Sequence, residues 1–141
     1  MHQKMSASLK TVIQDRTIYE DLEIFARNLY KLGKLSQRDW DNYCGLFKVM
    51  TSYLKKPDLI IYLKADTDTL ISRIKKRGRD YEISQDESYW IDLNQRYETY
   101  FKNYSWSKLL VIDVNHLDIE NNKEDKKLLI EKNSNTLNLT T

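Results

Sequence analysis

The stretch that decides the fold reads PDLIIYLKADTDTLISRIKKRGRDYE and runs from residue 57 to residue 82. Pro57 and Asp58 break the chain before a continuous apolar run, LIIYL, which predicts a strand buried on both faces. Asp66 or Thr67 can then cap a helix whose apolar side chains recur on one face. A buried strand followed directly by a helix is typical of an α/β fold with a parallel sheet.

Residues 73–82, RIKKRGRDYE, which we call the arginine segment, hold three arginines around one glycine. Arg73 and Arg77 lie one helical turn apart and are predicted to project from the same face. Gly78 tolerates a positive φ at the helix end and would swing Arg79 towards them. Because guanidiniums offer paired donors that match phosphate oxygens, the pattern favours a phosphate site. The alternative is a solvated basic helix end that interacts with the helix dipole.

Composition limits the classes of protein. The chain has 141 residues and 40% hydrophobic content, enough for one domain with a core. The net charge of +2 is small beside 23 basic and 21 acidic residues, so we expect no nucleic acid and no membrane as partner. A weaker alternative treats residues 75–79 and neighbouring tyrosines as a surface for single-stranded nucleic acid. The single cysteine, Cys44, and the absence of any apolar run near ~20 residues favour a cytoplasmic protein.

Glycine is scarce, and this limits how the chain can hold phosphate. Gly33, Gly45 and Gly78 are the only three glycines. None of them belongs to a GxxxxGK sequence followed by Ser or Thr, or to GxGxxG. The sequence therefore contains no glycine-rich phosphate loop.

A short strand is predicted at residues 9–14, LKTVIQ, followed by Asp15 and Arg16. Open α/β sheets bind ligands just beyond the carboxyl ends of their strands, so these two charged residues are candidate site residues. A surface ion pair is the alternative.

Residues 18–54 predict a helical hairpin. The first helix has helical apolar spacing over residues 18–32, and the second opens at a capping box of Ser36 and Asp39. Gly45 inside the second helix costs about 1 kcal/mol relative to alanine, which suggests close approach of another backbone. We therefore expect a homodimer through this hairpin.

The later chain continues the alternation of helix and strand. A capping box of Ser84 and Glu87 opens a helix, and KLLVIDV, residues 108–114, predicts another buried strand. The domain is predicted to span residues 1–120, followed at 121–141 by a short helix and a flexible tail. The order of elements predicts an α/β fold with a parallel sheet.

Two of these stretches together resemble the deoxynucleoside kinase family. DRTIYEDLEIFARNLY, residues 15–30, is similar to the family segment that begins with Asp or Glu before Arg-Ser, and the arginine segment looks like the family's lid, RxxxRxRxxE. PDLIIYL and LLVIDVN follow in the order of the family's later strands, so the resemblance covers about residues 9–118. The Asp-Arg-Thr form, together with Arg-Gly-Arg-Asp-Tyr-Glu, looks most like the bacterial branch of the family. It implies a parallel-sheet P-loop kinase-like fold, that of nucleoside and nucleotide kinases. The implied activity transfers the γ-phosphate of ATP to the 5′-hydroxyl of a deoxynucleoside.

The resemblance also implies roles for individual residues. Asp15 and Arg16 would be catalytic, with Asp15 helping to organise the Mg²⁺ of ATP and Arg16 lying by the acceptor's 5′-hydroxyl. Asp21 would hydrogen-bond the nucleobase and Phe25 would stack on it, although periodicity alone places Phe25 in the core. Glu82 would hold the sugar 3′-hydroxyl. The residues that would close over the donor phosphates as the lid are Arg73, Arg77 and Arg79.

The sequence departs from the family pattern at its start. In the family, a P-loop strand and helix and a strand-end glutamate, thought to take the 5′-hydroxyl proton, precede the segments matched here. The resemblance thus implies an N-terminally truncated fold, which we expect to be inactive without the P-loop portion. The alternative is a non-catalytic remnant or dimerising module of a split or truncated kinase. The preferred deoxynucleoside stays open, because Asp21 would act with partners in the absent segment.

Overall fold

The structure is a computed structural model, and it describes residues 12–137. Within that range, a pair of strands is combined with a series of helices. In chain order the elements are α1 (α-helical Ile18–Glu20, π-helical Asp21–Ala26 and α-helical Arg27–Lys31), α2 (Gln37–Ser52), β1 (Leu59–Lys64), α3 (Thr67–Arg77), α4 (Asp80–Ile83), α5 (Glu87–Lys102), β2 (Lys108–Asp113) and α6 (Lys123–Leu137).

The two strands pair in parallel, with Leu59 opposite Lys108 and Lys64 opposite Asp113. The chain between them contains α3, α4 and α5, so it forms the helical crossover that a parallel pair requires. The predicted α/β fold with a parallel sheet is confirmed. The predicted first strand at residues 9–14 lies partly outside the described residues, and its described part, residues 12–14, is not in a strand.

Aromatic side chains of α5 and β1 form the core. Tyr62 stacks on Phe101 with 4.3 Å between ring centroids, and Ile60 is buried beside them. The Tyr62 hydroxyl donates a hydrogen bond to Glu98 at 2.9 Å. Burial, and then this hydrogen bond, raise the pKa of Tyr62. The helix α5 is therefore fixed on one face of the sheet by apolar contact and by a buried hydroxyl.

The other face of the sheet is open within the described residues. Ile60 and Tyr62 are buried, whereas the alternate side chains Ile61 and Leu63 are 37% and 46% exposed. The prediction that this strand is buried on both faces is wrong for the part of the chain described here. Successive side chains of a strand point to opposite faces, and α5 covers only one of them.

Side-chain caps determine where three of the helices begin. Asp66 accepts a hydrogen bond from the backbone N–H of Thr69 at 2.8 Å, and Ser36 caps α2 in the same way, as predicted. The start of α5 differs from the prediction, because Asp86 is its cap. Ser84 instead lies at the end of the short helix α4, so the predicted capping box at Ser84 is wrong.

The predicted helical hairpin is present in α1 and α2. Tyr30 of α1 stacks on Trp40 of α2 with 5.1 Å between ring centroids, and Tyr19 meets Phe47 edge-on at 5.9 Å. A Cβ at Gly45 would meet no atom of the described residues within 4 Å. The close backbone approach predicted there is thus not made by the described part of this chain.

The last helix is longer than predicted. Residues 121–141 are predicted to hold a short helix and a flexible tail, but α6 runs over Lys123–Leu137. The domain boundary at residue 120 stays a prediction. Among residues 12–137, no helix combines the length and the apolar character needed to cross a membrane.

Candidate functional site

The turn before α1 carries the first two candidate residues, Asp15 and Arg16. Arg16 has a φ of +60°, a left-handed conformation that costs a residue with a side chain about 1–2 kcal/mol. Thr17 is the N-cap of α1, and its backbone N–H donates to Glu20 Oε2 at 2.8 Å, as in a capping box. This hydrogen bond fixes the helix start directly after the strained residue.

The Arg16 guanidinium lies over the ring of Phe25, 5.0 Å from its carbon to the ring centroid. Tyr97 of α5 meets the same ring edge-on, with 6.1 Å between centroids. Phe25 is only partly buried. The Phe25 ring therefore lies partly in the core, as periodicity indicates, and one of its faces contacts the Arg16 guanidinium. Stacking of Phe25 on a nucleobase stays a prediction.

Asp21 and Phe25 both lie in the π-helical segment of α1, Asp21–Ala26. A π-helix is wider than an α-helix, and such segments occur frequently at functional sites. Asp21 is exposed at the start of this segment. Burial, and then the charge of Asp21, raise the pKa of Tyr43. The predicted base-binding carboxylate therefore faces solvent near the hairpin partner α2.

The charges of this region act on the hydroxyl of Tyr97. Burial, and then the charge of Glu20, raise the pKa of Tyr97 to about 12, with Asp21 and Asp15 acting in the same direction and Arg16 in the opposite one. The contacts of Phe25 with Arg16 and with Tyr97 join the same residues. The structure thus brings the predicted residues of this region together. We call the following residues the helix-start cluster: Asp15, Arg16, Glu20, Asp21, Phe25 and Tyr97.

Two members of the cluster are absent from the sequence predictions. Glu20 is 8% exposed, and burial raises the pKa of its carboxyl group. The Thr-x-x-Glu spacing of Thr17 and Glu20 is a capping-box signal that could have identified it. Tyr97 belongs to an apolar stripe of α5, and its polar hydroxyl was the only sequence signal for another role.

In the arginine segment, two arginines converge on one carboxylate. Arg77 donates to Glu82 through Nε to Oε2 at 3.0 Å and through Nη2 to Oε1 at 2.5 Å. Gly78 has the predicted left-handed conformation with a φ of +70°, and Arg79 Nη1 lies 3.8 Å from Glu82 Oε1. Arg79 also donates to the Tyr81 hydroxyl at 3.0 Å. The Glu82 side chain is only 6% exposed, so the anion bound by this arginine pair belongs to the segment itself.

Arg73 does not join the other two arginines. Its guanidinium donates to the backbone carbonyls of Val114 and Leu117, at 2.6 and 2.9 Å, in the turn after β2. The expectation that Arg73 and Arg77 converge is therefore wrong for this structure. Helical spacing places two side chains on one face, but a long flexible arginine follows the nearest acceptors. A role for Arg73 at the donor phosphates stays a prediction.

The described residues contain no group of three or more His, Cys, Asp or Glu side chains that could hold a metal ion. Mg²⁺ in phosphoryl-transfer sites is bound by one or two carboxylates, phosphate oxygens and water, so it needs no protein cage. The exposed carboxylate of Asp15 fits such a shared role. Its part in organising Mg²⁺ stays a prediction.

Comparison with known families gives one match over almost the whole chain. Residues 1–138 match the family model described as deoxynucleoside kinase. The segments 15–30 and 73–82 lie within the matched range. The family resemblance stated from the two motifs is therefore confirmed.

Individual relatives agree with the family match. The chain is 34% identical over 122 residues to the deoxyadenosine/deoxycytidine kinase of Bacillus subtilis, covering 85% of this chain and 56% of that protein. It is 33% identical over 129 residues to the deoxyguanosine kinase of Lactobacillus acidophilus, with the same coverage of 85% and 56%. The chain thus spans little more than half the length of these curated relatives.

The fold matches solved structures of the same kind. The structure of deoxyadenosine kinase from M. mycoides with bound dATP superposes with a TM-score of 0.75 at 35% identity, covering 94% of this chain and 66% of that one. The same enzyme with dCMP and dCDP also gives a TM-score of 0.75, over 96% of this chain and 68% of that one. The P-loop kinase-like fold is therefore shown for this chain.

Proposed function

The chain belongs to the deoxynucleoside kinase family, and we propose that it forms the nucleoside-binding and arginine-lid portion of an enzyme that transfers the γ-phosphate of ATP to the 5′-hydroxyl of a deoxynucleoside. The observation that carries this proposal is the arginine pair, Arg77 and Arg79, converging on the carboxylate of Glu82 beside a glycine hinge. Guanidiniums held together in this way are suited to a polyphosphate, because each offers paired donors and a permanent charge.

At the acceptor side, the helix-start cluster would hold the nucleoside. Asp21 would hydrogen-bond the base, Phe25 would stack on it, and Arg16 would lie at the 5′-hydroxyl. Support comes from the exposure of Asp21 and from the position of the Arg16 guanidinium over Phe25. Glu82 would bind the sugar 3′-hydroxyl, and Asp15 would help to position Mg²⁺.

The chemistry explains why arginines suit this reaction. Phosphoryl transfer passes through a loose transition state in which charge is spread over the equatorial oxygens, so positioning and positive charge supply most of the catalysis. The arginine segment would supply that charge at the donor phosphates. Bound Mg²⁺ would neutralise the β- and γ-phosphate oxygens. Closure of the segment would also exclude water, which otherwise competes as acceptor.

We propose that turnover requires a P-loop segment that the printed sequence does not contain. The three glycines of the sequence do not form a glycine-rich phosphate loop. The chain also covers only 56% of the length of the two curated relatives described above. Fusing the chain to the P-loop portion of the M. mycoides enzyme tests this directly. With Mg-ATP and deoxyadenosine, deoxyguanosine or deoxycytidine, we expect turnover from the fusion and none from the chain alone.

The two contrary outcomes have different meanings. Robust turnover from the chain alone would overturn the requirement for the P-loop segment. A folded fusion that binds no deoxynucleoside and transfers no phosphate would overturn the kinase proposal, and would favour the alternative of a non-catalytic remnant or dimerising module. We also propose that the activity serves nucleotide salvage and that the protein is cytoplasmic.

We further propose that the protein forms a homodimer through the hairpin of residues 18–54. Several large apolar side chains of α2 are well exposed: Leu46, Val49 and Met50. A second copy could cover these apolar side chains. Light scattering of wild type and of Val49→Lys tests this, since we expect the charged variant to be monomeric.

A further inference from the structure

The carboxylate of Glu82 interacts with two arginines of the same segment, Arg77 and Arg79. Both Glu82 oxygens accept from Arg77, at 3.0 and 2.5 Å, and Arg79 lies 3.8 Å away. Arg77 and Arg79 are about half exposed, whereas the carboxylate is 6% exposed. The arginine segment therefore carries its own anion, enclosed by the groups that would receive a ligand phosphate.

In the proposed function, these three side chains would bind ligands instead of one another. Arg77 and Arg79 would bind the donor phosphates, and Glu82 would bind the acceptor sugar. A polyphosphate placed on the arginines would meet the negative charge of Glu82 at close range, and like charges in a desolvated site disfavour each other strongly. The contacts seen in the structure and the proposed ligand contacts are thus alternatives for this trio.

The local backbone permits an exchange between them. Gly78, at φ +70°, separates the helix that carries Arg77 from Arg79. Glu82 lies on α4, a helix of only four residues, Asp80–Ile83. A single turn next to a glycine can be re-oriented without disturbing α3 or α5, which are long helices with their own caps.

We propose that Glu82 acts as an internal anion that occupies Arg77 and Arg79 until a polyphosphate displaces it, and that the released carboxylate then binds the acceptor's 3′-hydroxyl. The second step rests on the proposed function. A displaced carboxylate needs new donors, because an unpaired buried charge is costly, and a sugar hydroxyl supplies one. Binding of the donor phosphates and binding of the nucleoside would then favour each other, and by linkage the coupling is the same in both directions.

The first step is tested with inorganic tripolyphosphate and the full chain, using isothermal titration calorimetry. Glu82→Gln removes the competing charge, so we expect it to bind tripolyphosphate about tenfold more tightly than wild type. The matched control is Glu87→Gln. Glu87 lies in the same region and pairs with Lys75 at 2.6 Å, away from the arginine pair. We expect this control to stay within about twofold of wild type. An equal gain in both variants, or no gain in Glu82→Gln, would overturn the exchange.

A second measurement needs no substitution, and so holds even if Glu82→Gln does not fold. The carboxyl carbon of Glu82 is followed by nuclear magnetic resonance in the wild-type chain while tripolyphosphate is added. We expect its signal to shift and to saturate together with that of the Arg77 Nε–H. A Glu82 signal that stays fixed while the Arg77 signal moves would contradict displacement.

The second step is tested in the fusion with the P-loop portion. We expect tripolyphosphate to tighten the binding of deoxyadenosine by a factor of about 5 or more, and to leave 2′,3′-dideoxyadenosine, which lacks the 3′-hydroxyl, unaffected. Equal effects on both nucleosides would overturn the transfer of Glu82 to the sugar. The tripolyphosphate experiments on the chain require no nucleoside and no turnover, so failure of the kinase proposal and failure of the exchange are separately visible.

Discussion

The helix-start cluster and the arginine segment are both charged, yet different interactions hold them together. In the arginine segment, Arg77 and Glu82 contact each other across one glycine turn, five residues apart in the chain. In the helix-start cluster, Arg16 and Phe25 are arranged against Tyr97, which belongs to a distant helix. The first region is a local charge pair, whereas the second depends on how α1 packs against α5. Substitutions should therefore separate chemistry from folding more cleanly in the first region.

The largest effect is expected from Arg77→Ala. In the fusion with the P-loop portion, we expect kcat to fall about 10³-fold, because an arginine that stabilises the transition state of phosphoryl transfer can contribute that much. The protein should stay folded, since Arg79 remains near the Glu82 carboxylate. Arg77→Lys should also be slow, because lysine keeps the charge but not the fork. Steady-state kinetics measure both, with exposed Lys76→Ala as control. Near-normal turnover in Arg77→Ala would remove Arg77 from the lid.

The features that the sequence predicted correctly are local. The cap at Asp66, the end of α3 at Gly78 and the strands of the parallel pair each follow from residues adjacent in the chain. The segment of residues 15–30 and the arginine segment also led to the family, which a match over residues 1–138 confirms. Local sequence is enough where a helix start or end is determined by one side chain or one φ value.

The features that the sequence did not predict depend on tertiary contacts. The path of Arg73 to two carbonyls after β2 depends on where β2 ends in space. The π-helical segment contacts α5, and Glu20 just before it is buried, neither of which follows from spacing within α1. The one-sided burial of β1 depends on which helices are available to cover it. No pattern of spacing within one element carries this information, because the partner lies elsewhere in the chain.

Asp21→Ala should have the next largest effect, and it tests whether chemistry can also be separated from folding in the helix-start cluster. Asp21 is exposed, so its loss should leave the melting temperature unchanged. We expect deoxynucleoside affinity in the fusion to fall about 10- to 100-fold, the usual cost of losing a charged hydrogen bond. Glu23→Ala, in the same π-helical segment, is the control and should bind normally. Unaltered affinity in Asp21→Ala would make Asp21 an ordinary acid of the first helical turn.

Substituting Gly78, with Gly45 as the comparison, tests whether the stability of the arginine segment depends on the left-handed backbone conformation at Gly78. Gly78→Ala places a side chain at φ +70°, so we expect a loss of about 1–2 kcal/mol in the free energy of unfolding. Gly45→Ala lies inside the helix α2 with open space around it, so we expect a gain of about 0.5–1 kcal/mol. Urea denaturation measures both. Effects of the same sign would show that backbone conformation does not govern stability at Gly78.

The smallest expected effect concerns two carboxyl groups, Glu20 in the helix-start cluster and Asp66 at the start of α3, the helix that leads into the arginine segment; their contributions to stability should have opposite signs. Burial raises the pKa of Glu20 above its ordinary 4.5, whereas the backbone hydrogen bond from Thr69 lowers the pKa of Asp66 below 3.8. As the pH rises above 4.5, the unfolded chain loses the Glu20 proton before the folded chain does, so this group lowers stability. Asp66 acts in reverse, since its stabilisation is complete above pH 3.8 and is lost as the pH falls through the lowered value.

Matched amide variants separate the two contributions. Both replacements keep the cap, because glutamine can serve in a capping box and asparagine can serve as an N-cap. In denaturation curves between about pH 3 and pH 7, Glu20→Gln should remove a fall in stability with rising pH, and Asp66→Asn should remove a rise. If the two variants changed the pH dependence in the same direction, Glu20 would not be a desolvated carboxylate. The helix-start cluster would then be as open to solvent as the start of α3, and the contrast between packed and local charge would be lost.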